Sequence, residues 1–164
     1  MSSKPKHPSR PQNDISSGIY SFMDMVAREA EEYAADHTSP MSALLEELEH
    51  FTLTATTYPS MLTGRVQGRF LQLVVQLSGA RNIVDIGTFT GYSALAMAEA
   101  LPPDGRILTI EHNSGHAGIA QDFFNRSPDR DKITLCQGEA LDIVKTLPDG
   151  RTDLVFIDAD KQNY

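Results

Sequence analysis

Carboxylate side chains stand at the ends of apolar runs in this 164-residue sequence, in positions where they could bind a ligand. Asp85 and Glu111 close two short runs, Asp158 follows a third, and Asp160 and Lys161 come directly after it. Parallel strands present their carboxyl ends at one edge of a sheet, where ligands of α/β proteins bind. The sequence therefore predicts an acidic site that can accept hydrogen bonds, hold a hard cation and supply an amine as a base. A salt-bridged loop after the third run is the alternative.

The turn after Asp85 indicates the class of ligand. It contains two glycines, Gly87 and Gly91, and it carries Phe89 where a dinucleotide fingerprint needs a middle glycine so that the backbone can approach a pyrophosphate. The negative charge of Asp85 just before the turn suits a cation better than a phosphate. Both features favour S-adenosylmethionine, which has a sulfonium and an ammonium but no phosphate. A turn that binds no ligand is the alternative interpretation.

The position of Glu111 supports a nucleoside-containing ligand. It lies 24 residues after Gly87 (111 − 87). This is near the offset of about 20 residues at which an acidic side chain accepts hydrogen bonds from ribose hydroxyls. We therefore expect Glu111 to bind the ribose of the cofactor.

Composition restricts the class of protein. The net charge of −8 argues against nucleic acid or an anionic membrane as the partner. No apolar run reaches the length of about 18–20 residues that spans a bilayer. Lys4 and Lys6 are not followed by the apolar region of a secretory signal. The single cysteine, Cys136, lies in an apolar run and is predicted to be a small core residue. We expect a cytoplasmic protein.

Hydrophobic periodicity divides the chain into three parts. Residues 1–13 are polar and are predicted to form a disordered tail, residues 14–60 an N-terminal helical segment, and residues 61–164 a Rossmann-like domain. In that domain apolar runs alternate with helical patterns, which predicts a parallel sheet of strand order 3-2-1-4 that is covered by helices. The predicted strands are residues 82–86, 106–111, 132–137 and 153–157, and the predicted helices between them are residues 91–101, 115–126 and 139–147.

Three further helices are predicted before the first strand. The first begins near Ile15, and the second runs from the Ser39-Pro40 cap to His50 and is followed by a loop. The third runs to Leu77 and stops at Gly79. It starts at about Thr63 and has one apolar face, formed by Val66, Phe70, Leu73, Val74 and Leu77.

Two motifs resemble the cation-dependent O-methyltransferases of the caffeoyl-CoA and catechol type. The first is Asp-Ile-Gly-Thr-Phe-Thr-Gly-Tyr-Ser at residues 85–93, and the second is Phe-Ile-Asp-Ala-Asp-Lys-Gln-Asn-Tyr at residues 156–164. The resemblance extends from about Tyr58 to the last residue. It implies a Rossmann-like, S-adenosylmethionine-dependent methyltransferase fold. It also implies that the cofactor is surrounded by Thr63, Asp85, Gly87, Thr88, Ser93, Glu111, Ala140 and Asp160.

The resemblance implies an activity as well. The protein would be an O-methyltransferase that acts on a hydroxyl of a small phenolic or catechol-like molecule, in secondary metabolism. Asp158 would be a ligand of a divalent cation such as Mg²⁺, which binds adjacent oxygens of the acceptor and lowers the pKa of one hydroxyl. Lys161 would be the catalytic base that takes the proton.

The sequence departs from the family at its end. Relatives continue past the second motif into further strands that complete both the sheet and the metal site. We therefore interpret residues 61–164 as a truncated domain and expect the chain alone to show little or no turnover. The fourth strand, residues 154–157, would then expose an apolar edge, through which the chain would form a homodimer or bind a partner. The alternative function is a non-catalytic S-adenosylmethionine-binding module or a partner subunit.

Overall fold

The computed structural model describes residues 26–160, and the chain divides into two compact units between Asp36 and His37. Helix α1 (Arg28–His37) forms most of the described part of the first unit, and none of its residues is buried. None of the helices within the described residues is long and apolar enough to cross a membrane.

Some predictions concern residues that the structure does not describe. The predicted tail of residues 1–13, the predicted helix start at Ile15 and the predicted base Lys161 all lie outside the described range. They therefore remain predictions from the sequence.

The second unit contains a parallel sheet, five α-helices and two short 3₁₀ helices within the described residues. Its elements in chain order are α2 (Ala43–Ala55), α3 (Gly64–Ser78), β1 (Asn82–Ile86), α4 (Tyr92–Ala100), β2 (Arg106–Glu111), α5 (Ser114–Arg126), β3 (Ile133–Gln137), α6 (Ala140–Val144) and β4 (Leu154–Ile157). The strands lie in the order β3-β2-β1-β4, so the predicted order is confirmed. This order follows from crossovers that start at β1, run outward to β3 and then return to the other side of β1.

The core is formed by α4 together with residues of the sheet and of α2, α3 and α5. The residues of helix α4 from Tyr92 to Ala98 are all buried. Leu95 is 1 % exposed and belongs to the same cluster as Ile83 of β1 and Ile107 of β2. Burying one such side chain contributes about 1.5–3 kcal/mol. The packing of α4 therefore fixes the position of the turn that connects it to β1.

Helix α2 differs from the prediction at both ends. It begins after the N-cap Ser42, whose side-chain oxygen accepts a hydrogen bond from a backbone amide of the first turn, rather than after Ser39. It also continues to Ala55, so the predicted end at His50 is wrong and His50 lies inside the helix.

The buried side of α2 explains its additional turn. Leu45, Leu48 and Thr52 follow helical spacing, and each is 0 % exposed. The Thr52 hydroxyl donates to the Leu48 carbonyl at 2.8 Å and is also joined to the Thr90 hydroxyl at 2.9 Å. The burial of Thr52 and its contact with Thr90 outweigh the low helix propensity of the threonines that suggested a loop.

Helix α3 has almost the predicted bounds and ends at Gly79, which is left-handed with φ of 66°. Its predicted apolar face, however, points outward. The exposed residues, which we call the α3 stripe, are Val66, Phe70, Leu73 and Leu77, and they are 43–79 % exposed.

The opposite side of α3 is buried against α4. It is formed by Gly68, Leu71, Gln72 and Val75. Gly68 allows the close approach, because a Cβ there would lie 3.0 Å from the Tyr92 ring. Gln72 can be buried because its amide donates to the Glu99 carboxylate at 3.1 Å. Periodicity located the helix and its apolar face, but a different face packs against the protein interior.

Candidate functional site

A cleft lies at the carboxyl ends of β1, β2 and β4. It consists of three adjoining cavities of about 280, 510 and 660 Å³, all of which have Ala159 among their lining residues. Glu111, Asp158 and Asp160 all line the 510 Å³ cavity. The structure therefore brings three of the acidic residues identified in the sequence together at one edge of the sheet.

The glycine turn, residues 87–91, lines this cleft and is closely packed from below. Gly87 has φ of 101° and Gly91 has φ of 98°, in the left-handed region that disfavours other residues. A Cβ on Gly87 would collide with the carbonyl of Asp158, and a Cβ on Gly91 would lie 2.7 Å from the Phe124 ring. Both glycines are thus required by conformation and by space.

Hydrogen bonds to β2 fix the turn. The amides of Gly87 and Thr88 donate to the carbonyl of Ile110 at 3.0 and 3.2 Å. The amide of Phe89 donates to Glu111 Oε2 at 2.8 Å. Phe89 itself has φ of 49°, a conformation that is uncommon for a bulky residue. Glu111 therefore helps to hold the turn in a strained shape.

The Glu111 carboxylate can accept further hydrogen bonds from a ligand in addition to these contacts. Its other oxygen accepts from the Asn113 amide at 2.8 Å, and His116 Nδ1 lies 4.0 Å away. The Glu111 side chain is 11 % exposed. A carboxylate offers about four lone-pair sites, so two backbone hydrogen bonds leave room for hydroxyl donors from the cleft.

Sequence reasoning did not assign several residues of the 510 Å³ cavity to the site. They are Phe89, His112, Asn113, His116 and Glu139. The Phe89 and His116 rings meet edge to face with centroids 4.7 Å apart, and His112 Nδ1 lies 3.0 Å from Glu139 Oε1. The sequence could have indicated three of them, His112, Asn113 and His116, because they follow the end of β2 within five residues.

A group of hydroxyls and one carboxyl lies beneath the glycine turn. Asp85 is 0 %, Thr88 2 % and Ser93 3 % exposed. Asp85 Oδ2 accepts hydrogen bonds from Thr109 Oγ1 at 2.7 Å and from Ser93 Oγ at 3.2 Å. Thr88, which lines the 280 Å³ cavity, is joined to Thr109 at 2.5 Å. Asp85 and Ser93 therefore support the turn from within the fold.

The environment of Asp85 favours its protonated form. Burial raises the pKa of this carboxyl to about 7, while hydrogen bonds from Thr109 and Ser93 oppose the rise and the negative charges of Asp158 and Glu111 add to it. Its Oδ1 has no hydrogen-bond partner within the described residues. A positive charge in the cleft would stabilise the ionised form.

The remaining predicted site residues lie along the cleft. Thr63 lines the 280 Å³ cavity together with Gly87 and Thr88. Ala140 and Asp160 both border the two larger cavities.

The described residues do not fit a divalent cation site. Asp158 lies in the cleft as predicted, but no group of three or more His, Cys, Asp or Glu side chains that could hold a metal occurs between residues 26 and 160. A hard cation such as Mg²⁺ needs about six oxygen ligands.

Comparisons with known proteins identify the relatives of this chain. A family model described as O-methyltransferase matches residues 32–164. A catechol O-methyltransferase of Niastella koreensis is 40 % identical over 116 residues, which are 69 % of this chain and 52 % of the relative. Caffeoyl-CoA O-methyltransferase 1 of Eucalyptus globulus is 40 % identical over 108 residues, which are 63 % of this chain and 44 % of the relative. The chain spans about half the length of the curated relatives it matches.

Solved structures share the fold. An O-methyltransferase from Bacillus cereus in complex with SAH is 38 % identical and has a TM-score of 0.74, with 82 % of this chain and 62 % of that chain covered. An SAH-bound methyltransferase from Podospora anserina is 25 % identical and has a TM-score of 0.79, with 97 % and 64 % covered. The predicted Rossmann-like methyltransferase fold is confirmed by these neighbours. Because the family model covers most of its length, this chain belongs to the O-methyltransferase family.

Proposed function

We propose that this chain binds S-adenosylmethionine in the cleft and serves an O-methyltransferase that acts on a hydroxyl of a small phenolic or catechol-like molecule. The observation that carries the proposal is the position of Glu111. Its carboxylate holds the glycine turn and also borders a cavity of about 510 Å³ at the ends of the central strands. This is where an acidic residue receives the ribose hydroxyls in nucleoside-binding α/β folds.

The cleft suits a cationic nucleoside. It is lined by the carboxylates of Glu111, Asp158 and Asp160. The carboxyl of Asp85 lies beneath, and one of its buried oxygens has no hydrogen-bond partner among residues 26–160. A phosphate would be repelled by these groups, whereas a sulfonium and an ammonium would be attracted. When bound, S-adenosylmethionine supplies an electrophilic methyl group. The residues of this chain would bind the ribose and orient the cofactor on the glycine turn. Their carboxylates would surround its positive charges.

The relatives support the substrate class. Curated relatives carry the names catechol and caffeoyl-CoA O-methyltransferase, and two solved neighbours contain SAH. A phenolic acceptor, a role in secondary metabolism, dependence on Mg²⁺, Lys161 as the base and a cytoplasmic location remain predictions.

A second function is favoured by one observation. The described residues hold one predicted metal ligand, Asp158, and no metal-binding cluster around it. A non-catalytic S-adenosylmethionine-binding module is therefore the alternative. Assays of catechol methylation with Mg²⁺, with and without EDTA, discriminate the two. EDTA-sensitive turnover by purified 1–164 would exclude the non-catalytic module, although the sequence leads us to expect little or no turnover from this chain alone. In a longer chain that continues past residue 164, cofactor binding without turnover would favour the module.

The first prediction tests cofactor binding. We expect S-adenosylhomocysteine to bind the purified chain with measurable heat and to raise its melting temperature, whereas NAD should do neither. Glu111→Ala should weaken binding by about 1–3 kcal/mol, the contribution of hydrogen bonds to a charged group. Isothermal titration calorimetry measures both effects.

Glu46→Ala is the matched control, because Glu46 is an exposed glutamate on α2. Its affinity should equal that of the unmodified chain. The absence of heat and of thermal stabilisation at millimolar ligand would overturn the proposed function. An unchanged affinity in Glu111→Ala would remove Glu111 from the site.

A further inference from the structure

Thr109 is a polar residue in the middle of the sheet. It lies opposite Asp85 in the parallel register of β1 and β2, and it is 0 % exposed. Its neighbours along the strand, Leu108 and Ile110, are apolar. A buried hydroxyl is costly unless it is hydrogen-bonded, so the partners of Thr109 account for its presence there.

When Asp85 is ionised, its oxygens can only accept hydrogen bonds, and the hydrogen bonds of Thr109 then have a fixed direction. Thr109 Oγ1 donates to Asp85 Oδ2 at 2.7 Å. A hydroxyl has a single proton to donate, so the 2.5 Å contact with Thr88 Oγ1 must be a hydrogen bond that Thr88 donates to Thr109. The chain of donors therefore runs from Thr88 on the cleft, through Thr109, to the buried carboxyl.

Among the described residues, the charges that act on Asp85 are those of two carboxylates, and both are negative. Glu111 stands at the end of β2, Asp158 follows β4, and α4 contributes the neutral donor Ser93. The carboxyl thus receives its hydrogen bonds from hydroxyls and has no cationic partner among these groups. A cationic ligand in the cleft would be the missing opposite charge.

We propose that Thr109 is a positioning residue for the cofactor: its hydroxyl ties Thr88 of the glycine turn to the Asp85 carboxyl and thereby adapts the turn to a positively charged ligand. The inference rests on the proposed function, because it concerns the same cleft. It also predicts that the cleft binds one form of the cofactor more tightly than the other. S-adenosylmethionine carries one more positive charge than S-adenosylhomocysteine, so the ionised carboxyl should favour the methylated cofactor over its demethylated product.

The test compares affinities for the two ligands in Thr109 variants. Thr109→Val keeps the shape and removes the hydroxyl, and we expect S-adenosylmethionine to bind about tenfold more weakly. Thr109→Ser keeps the hydroxyl and should bind within about twofold of the unmodified chain. Thr134→Val is the matched control, because Thr134 is an exposed threonine on the neighbouring strand β3. Thr109→Ala replaces the valine variant if that variant does not fold.

The dependence of the two ligand affinities on pH distinguishes a positioning role of Thr109 from a purely structural one. In the unmodified chain the preference for S-adenosylmethionine over S-adenosylhomocysteine should rise as the pH increases from 6 to 8, because Asp85 ionises in that range. In Thr109→Val the rise should move to higher pH, since a donor to the carboxylate is lost. In Asp85→Asn the ratio should change less with pH than in the unmodified chain.

Each outcome has a distinct meaning. If the unmodified chain binds neither ligand, the proposed function fails and this inference fails with it. If both ligands bind, but Thr109→Val shows the same affinities and the same pH profile as the unmodified chain, the inference is overturned and the proposed function stands. A uniform loss of affinity for both ligands with an unchanged profile would also overturn it.

Discussion

At the scale of single residues, the Asp85 carboxyl makes the stability of the fold depend on pH. Its pKa of about 7 in the folded chain exceeds the ordinary value of 3.8, so folding takes up a proton between about pH 4 and pH 7. The contribution of this group to stability is therefore highest in acid. It falls as the pH rises and is lowest above pH 7.

Replacing this residue by Asn gives a prediction. Between pH 5 and pH 8 the unmodified chain should lose roughly 2–3 kcal/mol of stability through Asp85, because the unfolded chain ionises first. Asp85→Asn should lack this loss, so its stability relative to the unmodified chain should improve with pH. Urea unfolding at the two pH values measures the difference. An equal pH dependence in both proteins would contradict the assigned pKa of Asp85.

Site residues could be predicted from sequence where a strand end and a glycine turn coincide, as at Gly87 and Glu111. His116 and Glu139 follow β2 and β3 closely in the sequence but were not assigned to the site, because they reach the cleft from α5 and from the loop before α6. The role of Thr109 was hidden for a different reason. A threonine in an apolar strand has no sequence signal, and only the register of β1 and β2 reveals its partner.

At the scale of elements, the glycine turn depends on the segment after β4. A Cβ on Gly87 would collide with the Asp158 carbonyl, and its φ of 101° is unfavourable for alanine. We therefore expect Gly87→Ala to lower stability by about 2 kcal/mol or more and to weaken binding of S-adenosylhomocysteine. Thermal unfolding with and without the ligand measures both effects.

Gly118→Ala is the control for this substitution. Gly118 lies in α5 with open space around its Cα, and its backbone is helical. Alanine should stabilise the protein there by about 0.5–1 kcal/mol and leave ligand affinity unchanged. Equal effects of the two substitutions would show that the glycine turn tolerates a side chain.

Elements were predicted well where the hydrophobic period is unambiguous. The alternation of apolar runs and helical patterns predicted all four strands and their order. The interior face of α3 could not be predicted, because this helix has apolar residues on two sides. Gly68 and Gln72 decide the orientation through contacts with Tyr92 and Glu99 that sequence spacing does not reveal.

At the scale of the whole molecule, β4 forms one border of the sheet. Its side chains alternate: Leu154 and Phe156 pack against the core, whereas Val155 is 49 % and Ile157 52 % exposed. The predicted exposed apolar row therefore consists of every second residue. An exposed apolar border strand is a site for association with another polypeptide.

We propose that the chain self-associates through this border and predict that Val155→Lys suppresses the association, since a charge at a strand edge opposes pairing. Light scattering as a function of protein concentration should show growing mass for the unmodified chain and a constant mass for the variant. Leu77→Lys charges the α3 stripe instead and serves as the control. A monodisperse chain that Val155→Lys does not alter would contradict the proposal.

The close approach between Gly87 and Asp158 connects this border with the cofactor cleft. The Asp158 amide donates to the Ile86 carbonyl at 2.9 Å, directly before the glycine whose missing side chain makes space for the Asp158 carbonyl. A polypeptide that pairs with β4 and shifts its carboxyl end must therefore shift the glycine turn as well. The affinity of the cleft for the cofactor would then depend on whether a polypeptide is bound at β4. By thermodynamic reciprocity, the cofactor would change the affinity for that polypeptide by the same factor.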